Sequence, residues 1–271
     1  MTIFDALFLG LVQGLTEFLP VSSSGHLILA REIFGLMGGG GLAFDAVLHF
    51  ATALAIVVYF RHDVLRLIKT AIAMVRGRAQ QEDAGMVVAI VVATIPAVVL
   101  GLFLEDLMAT LFRNPLLVAG TLILGSIIMI CAEMLQGRLA AWASRRGLQT
   151  PWLRGLVVGL FQSLALVPGM SRSGMAISGG MLFGLGREDA ARFAFLIGAP
   201  LLLGAGLKKI IDIAQVGSDV HTGTLLIGAV TAFLVGLAVI HYLLRFLRSH
   251  SLYIFAYYRI ALALLVLVVF W

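Results

Sequence analysis

Charge and cysteine are scarce in this chain, and each shortage excludes something. Only 12% of its 271 residues are charged and 61% are apolar, against about 25% and 45–50% in soluble domains, so an ordinary soluble globular protein is ruled out. A single cysteine leaves no intramolecular disulfide and no cysteine metal cluster. That residue, Cys131, sits in an apolar run and reads as a small packing residue. Alternation of polar and apolar residues is missing as well. The apolar runs are continuous, which excludes an outer-membrane barrel built from strands of about 10 alternating residues. Met1 to Asp5 carry no Lys or Arg, and no small-residue cleavage site follows the first apolar run, so a retained N-terminus is expected rather than a cleaved signal peptide. The formal net charge of +5 does not point to nucleic acid. The basic residues fall in short links between apolar runs, where they report membrane topology.

What the chain does have is membrane-length apolar sequence. Mean hydropathy is +1.06, and runs such as 85–104 and 116–131 approach the ~20 residues that a helix needs to cross a bilayer. Crossings are expected near 42–60, 85–104, 116–135, 190–207, 223–244 and 252–271. Two further stretches, 3–36 and 153–186, are each broken midway by polar sequence with Gly and Pro: PVSSSGH at 20–26 and PGMSRSG at 168–174. These read as helix–break–helix hairpins. The four glycines at 38–41 read as a flexible external link.

The hairpins resemble each other. A constant shift of 149 residues places Gly10, Leu11, Gln13 and Leu15 on Gly159, Leu160, Gln162 and Leu164. The same shift places Ser22, Ser24, Gly25 and Ile28 on Ser171, Ser173, Gly174 and Ile177, and Phe34 and Gly35 on Phe183 and Gly184. No gap is needed, which argues for duplication. Three spans follow each hairpin, and an odd number of crossings between the copies predicts opposite orientations. The links 61–80, 136–154 and 245–251, with Arg187 and Arg192, gather thirteen Lys and Arg on one side. Only Arg31, Arg113, Lys208 and Lys209 fall on the other. The positive-inside rule then puts the basic links in the cytoplasm, both termini outside, and the two hairpins entering from opposite faces. The predicted fold is an all-α polytopic membrane protein in one integral domain over 1–271, with six transmembrane helices and two re-entrant helical hairpins. Repeat one covers about 1–135 and repeat two about 153–271, as an inverted-topology repeat.

Hairpins entering from opposite faces meet near the midplane, where irregular backbone is tolerated only inside protein or against a wet cavity. The polar residues collected there form the candidate site. Gln13 and Glu17 are four apart and share a helix face, so their oxygens are suited to hold one cation. Ser22, Ser23 and Ser24 follow Pro20 and open a new helix, whose free N–H groups favour an anion. His26 lies three residues after Ser23, in reach as its base, although capping explains the serines equally well. In the second copy Ser171, Arg172, Ser173 and Gly174 again open a helix, and Arg172 stands where the first copy has Ser23. A guanidinium there suits a phosphate held bidentately, with an ion pair to Glu17 as the structural alternative. His49, a turn after Asp45, either lines the site or packs. Arg259, after Tyr257 and Tyr258, reads as an interfacial anchor, and Glu133 lies near a span end. Two helix N-termini, an arginine, hydroxyls, a histidine and a carboxylate point to a lipid phosphate as ligand.

The motifs Gln13-Gly14-Leu15-Thr16-Glu17, continuing to His26, and Pro168-Gly169-Met170-Ser171-Arg172-Ser173-Gly174 resemble those of the bacterial undecaprenyl-diphosphate phosphatase family, which is linked to bacitracin resistance. The resemblance covers essentially the whole chain. It implies hydrolysis of undecaprenyl diphosphate to undecaprenyl phosphate and inorganic phosphate, which recycles the lipid carrier for peptidoglycan synthesis. It further implies a divalent cation, Mg²⁺ or Ca²⁺, on Glu17 and Gln13, and bacitracin acting indirectly by sequestering the lipid. A multi-pass location in the bacterial cytoplasmic (inner) membrane, with the site opening to the outer face, also follows from it. By resemblance Glu17 is the essential acid, Ser23 and His26 the nucleophile and its base, and Arg172 the phosphate anchor. Ser22, Ser24, Ser171, Ser173 and Gly174 are then substrate-binding donors. Two departures stand out: the first motif position is Gln13 rather than Glu, and Ala176 stands where some members carry Thr. His26 acting on water, or itself accepting the phosphoryl group, remains open as chemistry. A secondary transporter or lipid-phosphate flippase is the rival from another class, since inverted repeats with broken helices also build transporters.

Overall fold

The computed structural model describes residues 1–36, 41–104, 114–216 and 221–270. Residues 38–40 of the glycine link, and Arg113, lie outside them. Among the described residues every regular element is helical, in the order α1 (Ile3–Phe18), α2 (Ser23–Phe34), α3 (Gly41–Tyr59), α4 (Arg61–Val75), α5 (Gln81–Phe103), α6 (Pro115–Arg145), α7 (Pro151–Ser163), α8 (Arg172–Leu182), α9 (Arg187–Val216), α10 (Thr222–Leu247) and α11 (Tyr253–Phe270). A short 3₁₀ turn, Leu164–Leu166, extends α7. Five helices are long and apolar enough to cross a membrane, and α3 makes a sixth when taken with α4. This is a multi-pass membrane protein.

The chain folds this way for local reasons. Thr2 caps α1 in a capping box with Asp5, whose backbone N–H donates to the Thr2 hydroxyl at 3.1 Å. Helix α1 stops before Pro20, and α2 stops at Gly35, which takes a left-handed φ of 64°. With 16, 12, 13 and 11 residues, α1, α2, α7 and α8 span at most about 24 Å each, short of the ~30 Å hydrocarbon core. None of the four is long enough to span it alone.

Two links expected in the sequence are largely helix. Residues 61–75 form α4, turned 84° from α3. Its hydropathy is too low for a span, but Leu65, Ile68, Ile72 and Val75 make one exposed apolar stripe at helical spacing while Arg66 and Lys69 lie off it, the pattern of a helix at a membrane surface. Helix α6 runs 31 residues, ten beyond the expected end at 135, because Gln136 to Arg145 contain no helix breaker except Gly137. Cys131 is exposed on α6 rather than packed inside, since its helix turns that face outward. Glu133, expected only near a span end, is buried. It pairs with Arg187 at 2.7 Å and accepts the backbone N–H of Leu252 at 2.6 Å.

That pair belongs to a set that gathers one end of the bundle. Arg192 of α9 meets Asp63 of α4 at 3.1 Å, and Arg248 after α10 meets Glu188 of α9 at 2.9 Å. The links that the sequence sorted to one side thus share an end. The opposite end of α3 holds a bidentate pair between Arg31 and Asp45, at 2.7 and 2.6 Å.

The hairpins pack by close approach of small residues, which brings helix backbones together where lipid supplies no hydrophobic drive. A Cβ on Gly10 would lie 2.6 Å from the Gly228 carbonyl of α10. At the 149-shifted position, a Cβ on Gly159 would lie 2.5 Å from the Ala93 carbonyl of α5. Each hairpin therefore leans on a span from the other half of the chain. The second goes deeper: α8 is buried from Ser173 to Met181, whereas α2 ends on exposed Ile33 and Phe34.

Candidate active site

The hairpin breaks share one backbone device. Ser22 and Ser171 are the only described residues other than glycine with positive φ, at 77° and 72°. An L-residue is strained there, so the surroundings must hold it. They do so with hydrogen bonds. The Ser22 hydroxyl accepts the Gly25 N–H at 3.3 Å, and the Ser171 hydroxyl accepts that of Gly174 at 3.1 Å. Each break is also tied to the other. The Ser22 hydroxyl accepts the Gly169 N–H at 3.1 Å, and Ser173 donates to the Leu19 carbonyl at 3.1 Å. Ser24 lies 3.4 Å from Ser22, and Ser173 lies 3.2 Å from Ser171. These residues, expected as donors to substrate, are first of all the joinery of the two breaks.

Arg259 completes the joint, and its position corrects the sequence expectation of an interfacial anchor. It is fully buried, and its Nη1 and Nη2 donate to the carbonyls of Pro20, Met170, Leu122 and Gly169 at 3.2, 3.1, 3.3 and 2.8 Å. Both hairpin tips hang from this one guanidinium. The neighbouring Tyr257 and Tyr258 are 62% and 48% exposed. Their aromatic, outward-facing character suggested the anchor, yet Arg259 is about 100° further round the helix and points inward. The available signal was an arginine seven residues into an apolar span, where a charge needs buried partners.

Glu17 is the hub of the polar cluster. One carboxylate oxygen accepts Arg172 Nη2 at 2.8 Å; the other accepts the Ser23 hydroxyl at 2.6 Å and Gln13 Nε2 at 2.9 Å. His49 Nδ1 stands 3.1 Å from that second oxygen and 2.9 Å from Gln13 Nε2, so His49 lines the site. The structure unites Gln13, Glu17, Ser23, His49 and Arg172. It does not unite Ser23 with His26. His26 Nδ1 lies 2.8 Å from the Ser22 carbonyl, which can only accept, so this nitrogen carries the hydrogen. Nε2 of the neutral ring then accepts from the Tyr258 hydroxyl at 2.8 Å. The expected pairing fails because the first turn of α2 sends His26 back to its own cap carbonyl, one turn away, while Ser23 faces α1.

The Arg172 ion pair that the sequence offered as an alternative to anion binding is present, and it leaves the guanidinium half used. Nε and Nη1 of Arg172 are buried without a partner, as is Oε1 of Gln13. Open donors on a buried guanidinium are costly and suit the oxygens of an anion. Gly198 on α9 makes room for this side chain, since a Cβ there would overlap Arg172 Nη1. Gly198→Ala is therefore expected to lower turnover about 100-fold by displacing the guanidinium. Gly204→Ala on the same helix, where a Cβ would meet nothing within 4 Å, should leave turnover unchanged; phosphate release by the two variants measures both.

Fold and site together define a class: a multi-pass α-helical membrane protein whose two broken hairpins enclose a buried carboxylate, hydroxyl and half-free guanidinium. The family model for bacitracin resistance protein BacA matches residues 6–265, and the chain belongs to that family. It is 38% identical to an undecaprenyl-diphosphatase of Myxococcus xanthus over 99% of this chain and 89% of that one. It is 41% identical to that of Rubrobacter xylanophilus, over 98% and 97%, and 39% identical to that of Moorella thermoacetica, over 100% and 99%.

Proposed function

We propose that the chain is an undecaprenyl-diphosphate phosphatase of the bacterial cytoplasmic membrane, releasing inorganic phosphate and the monophosphate lipid carrier. The carrying observation is the Ser23–Glu17–Arg172 chain: a hydroxyl donating to a carboxylate that a guanidinium with open donors also holds. In this reading the prenyl chain stays among lipid-facing helices. The diphosphate enters between the hairpin tips, where Nε and Nη1 of Arg172 take phosphate oxygens. Ser23 Oγ attacks the terminal phosphorus as its proton passes to Glu17. The bond from phosphorus to the bridging oxygen breaks, and the lipid monophosphate leaves. The departing monophosphate takes up the proton from Glu17 and restores the carboxylate. Water then attacks the phosphoserine and gives its proton to Glu17, the bond from phosphorus to Ser23 Oγ breaks, Oγ recovers that proton and inorganic phosphate leaves. A phosphoryl transfer of this kind draws most of its acceleration from positioning and charge stabilisation.

The donor set also fits a divalent cation of the Mg²⁺ type. Such an ion is usually held by one or two side-chain oxygens with substrate phosphates completing its shell. Glu17 and the unpartnered Gln13 Oε1 would hold it, and it would neutralise diphosphate charge. The orientation of the halves, with the links of α4, α6 and α10 cytoplasmic and the two hairpins inverted, belongs to the same proposal. It is supported by their common end and by the equivalent packing of Gly10 and Gly159.

Rapid quench of the detergent-purified protein with undecaprenyl [³²P]diphosphate and Mg²⁺ tests the chemistry. An acid-stable phosphoserine at residue 23, absent from Ser23→Ala, is expected. An acid-labile adduct on His26 would transfer the nucleophile's role to that ring, and a folded wild type that binds the lipid without releasing phosphate would favour a carrier.

A further inference from the structure

The first hairpin leaves a groove beneath it. Helix α1 lies alongside α10 through Gly10 with Gly228, Gly14 with Ala232, and Phe18 with Gly236. There α1 ends, while α10 continues eleven residues to Leu247, about 16 Å further. The uncovered flank of α10 opens a cavity of about 770 Å³ between α10, the end of α1 and the start of α11. Its body is apolar, with Leu15, Leu19, Val239 and Phe255 among the walls, and its far end carries Arg245 and His250. No carboxylate is among its described lining residues. Among the described residues no side chain pairs with Arg245. Glu188, at this end of the bundle, is taken by Arg248 at 2.9 Å. His250 is held in place, its ring stacked on Phe246 at 4.2 Å and its Nδ1 2.9 Å from the Ser249 hydroxyl.

An apolar trough with one unneutralised cationic end has the form of a seat for a lipid bearing a single terminal phosphate. We propose that it binds a prenyl monophosphate, its chain along α10 and its phosphate on Arg245 and His250 at the basic end of the bundle. The inference rests on the phosphatase reading for its choice of lipid. Leu15 and Leu19 flank Glu17 in sequence, and the Leu19 carbonyl is the one that Ser173 grips. The groove and the candidate active site are thus two sides of one hairpin. An arginine–phosphate contact supplies the head-group preference, and the apolar wall holds the chain.

The test is lipid retention by the full chain in nanodiscs of neutral phospholipid, with added undecaprenyl phosphate, undecaprenol or phosphatidylglycerol, read by native mass spectrometry. Undecaprenyl phosphate should be retained over both others. Arg245→Glu should weaken its retention about tenfold or more, and Arg245→Lys should restore most of it. Turnover of a short, soluble prenyl diphosphate should be unchanged in both variants. Equal retention of phosphatidylglycerol, or undiminished undecaprenyl phosphate in Arg245→Glu, overturns the proposal. Selective, Arg245-dependent retention in a protein that releases no phosphate would sustain the groove while removing the phosphatase reading.

Discussion

Glu17→Gln is expected to lower phosphate release about a thousandfold while leaving the protein folded. The amide keeps the shape of the side chain and can still accept from Ser23 at the position where the carboxylate does so at 2.6 Å, but it cannot take up the proton. Glu17→Ala should do more. Arg172, whose side chain is 11% exposed, would be left as a buried charge without a partner, a loss of about 3–5 kcal/mol. Turnover and thermal unfolding in detergent separate the two effects: the neutral amide also removes the charge opposite Arg172, so Tm should fall in the Gln variant and fall further in the Ala variant, while both lose turnover. A Gln variant that turns over at wild-type rates would remove Glu17 from proton transfer.

Arg259→Met is the second large effect, and it acts on architecture. Met approximates the stem of the side chain and donates nothing, so the carbonyls of Pro20, Leu122, Gly169 and Met170 lose a shared donor inside the membrane. The Leu122 carbonyl keeps the Ser126 hydroxyl at 2.7 Å; each of the other three, orphaned, costs about 1–3 kcal/mol, partly offset because no guanidinium then needs burying. A net loss of about 3 kcal/mol, with a fall in Tm and near-complete loss of turnover, is the expected result. Arg259→Lys should fall between, since a compact ammonium cannot reproduce a planar fork that reaches both tips. Wild-type Tm in Arg259→Met would show that the hairpins meet without this brace.

The membrane helices were legible because they rest on average hydropathy. The expected spans near 42–60, 85–104 and 223–244 fall within a few residues of α3, α5 and α10. Helix α4 was not, because its polar and apolar residues cancel in an average and separate only when wound at 3.6 residues per turn. The hairpin breaks were legible through Pro, Gly and Ser, whose conformational habits are local. The roles within the cluster were less so. Spacing places Ser23 and His26 one turn apart, but only the tertiary structure shows α1 bringing Glu17 to Ser23 and Tyr258 taking His26. Arg259 was hidden by its neighbours: a Tyr-Tyr-Arg run has the composition of an interfacial belt, and a one-residue rotation about the helix decides that it is a core brace.

The cross-bonded breaks set an order of events during synthesis. Ser22 emerges from the ribosome long before Gly169, and Glu17 long before Arg172, so the first hairpin enters the bilayer with its strained serine short of its cross-hairpin bond and its carboxylate without the guanidinium. Its missing partners are all encoded in the second half of the chain, including the last helix, which brings Arg259. Neither half can mature alone. The protein becomes competent only after its final span is in place, and the two halves made as separate polypeptides should recover activity only where they find each other in the same membrane.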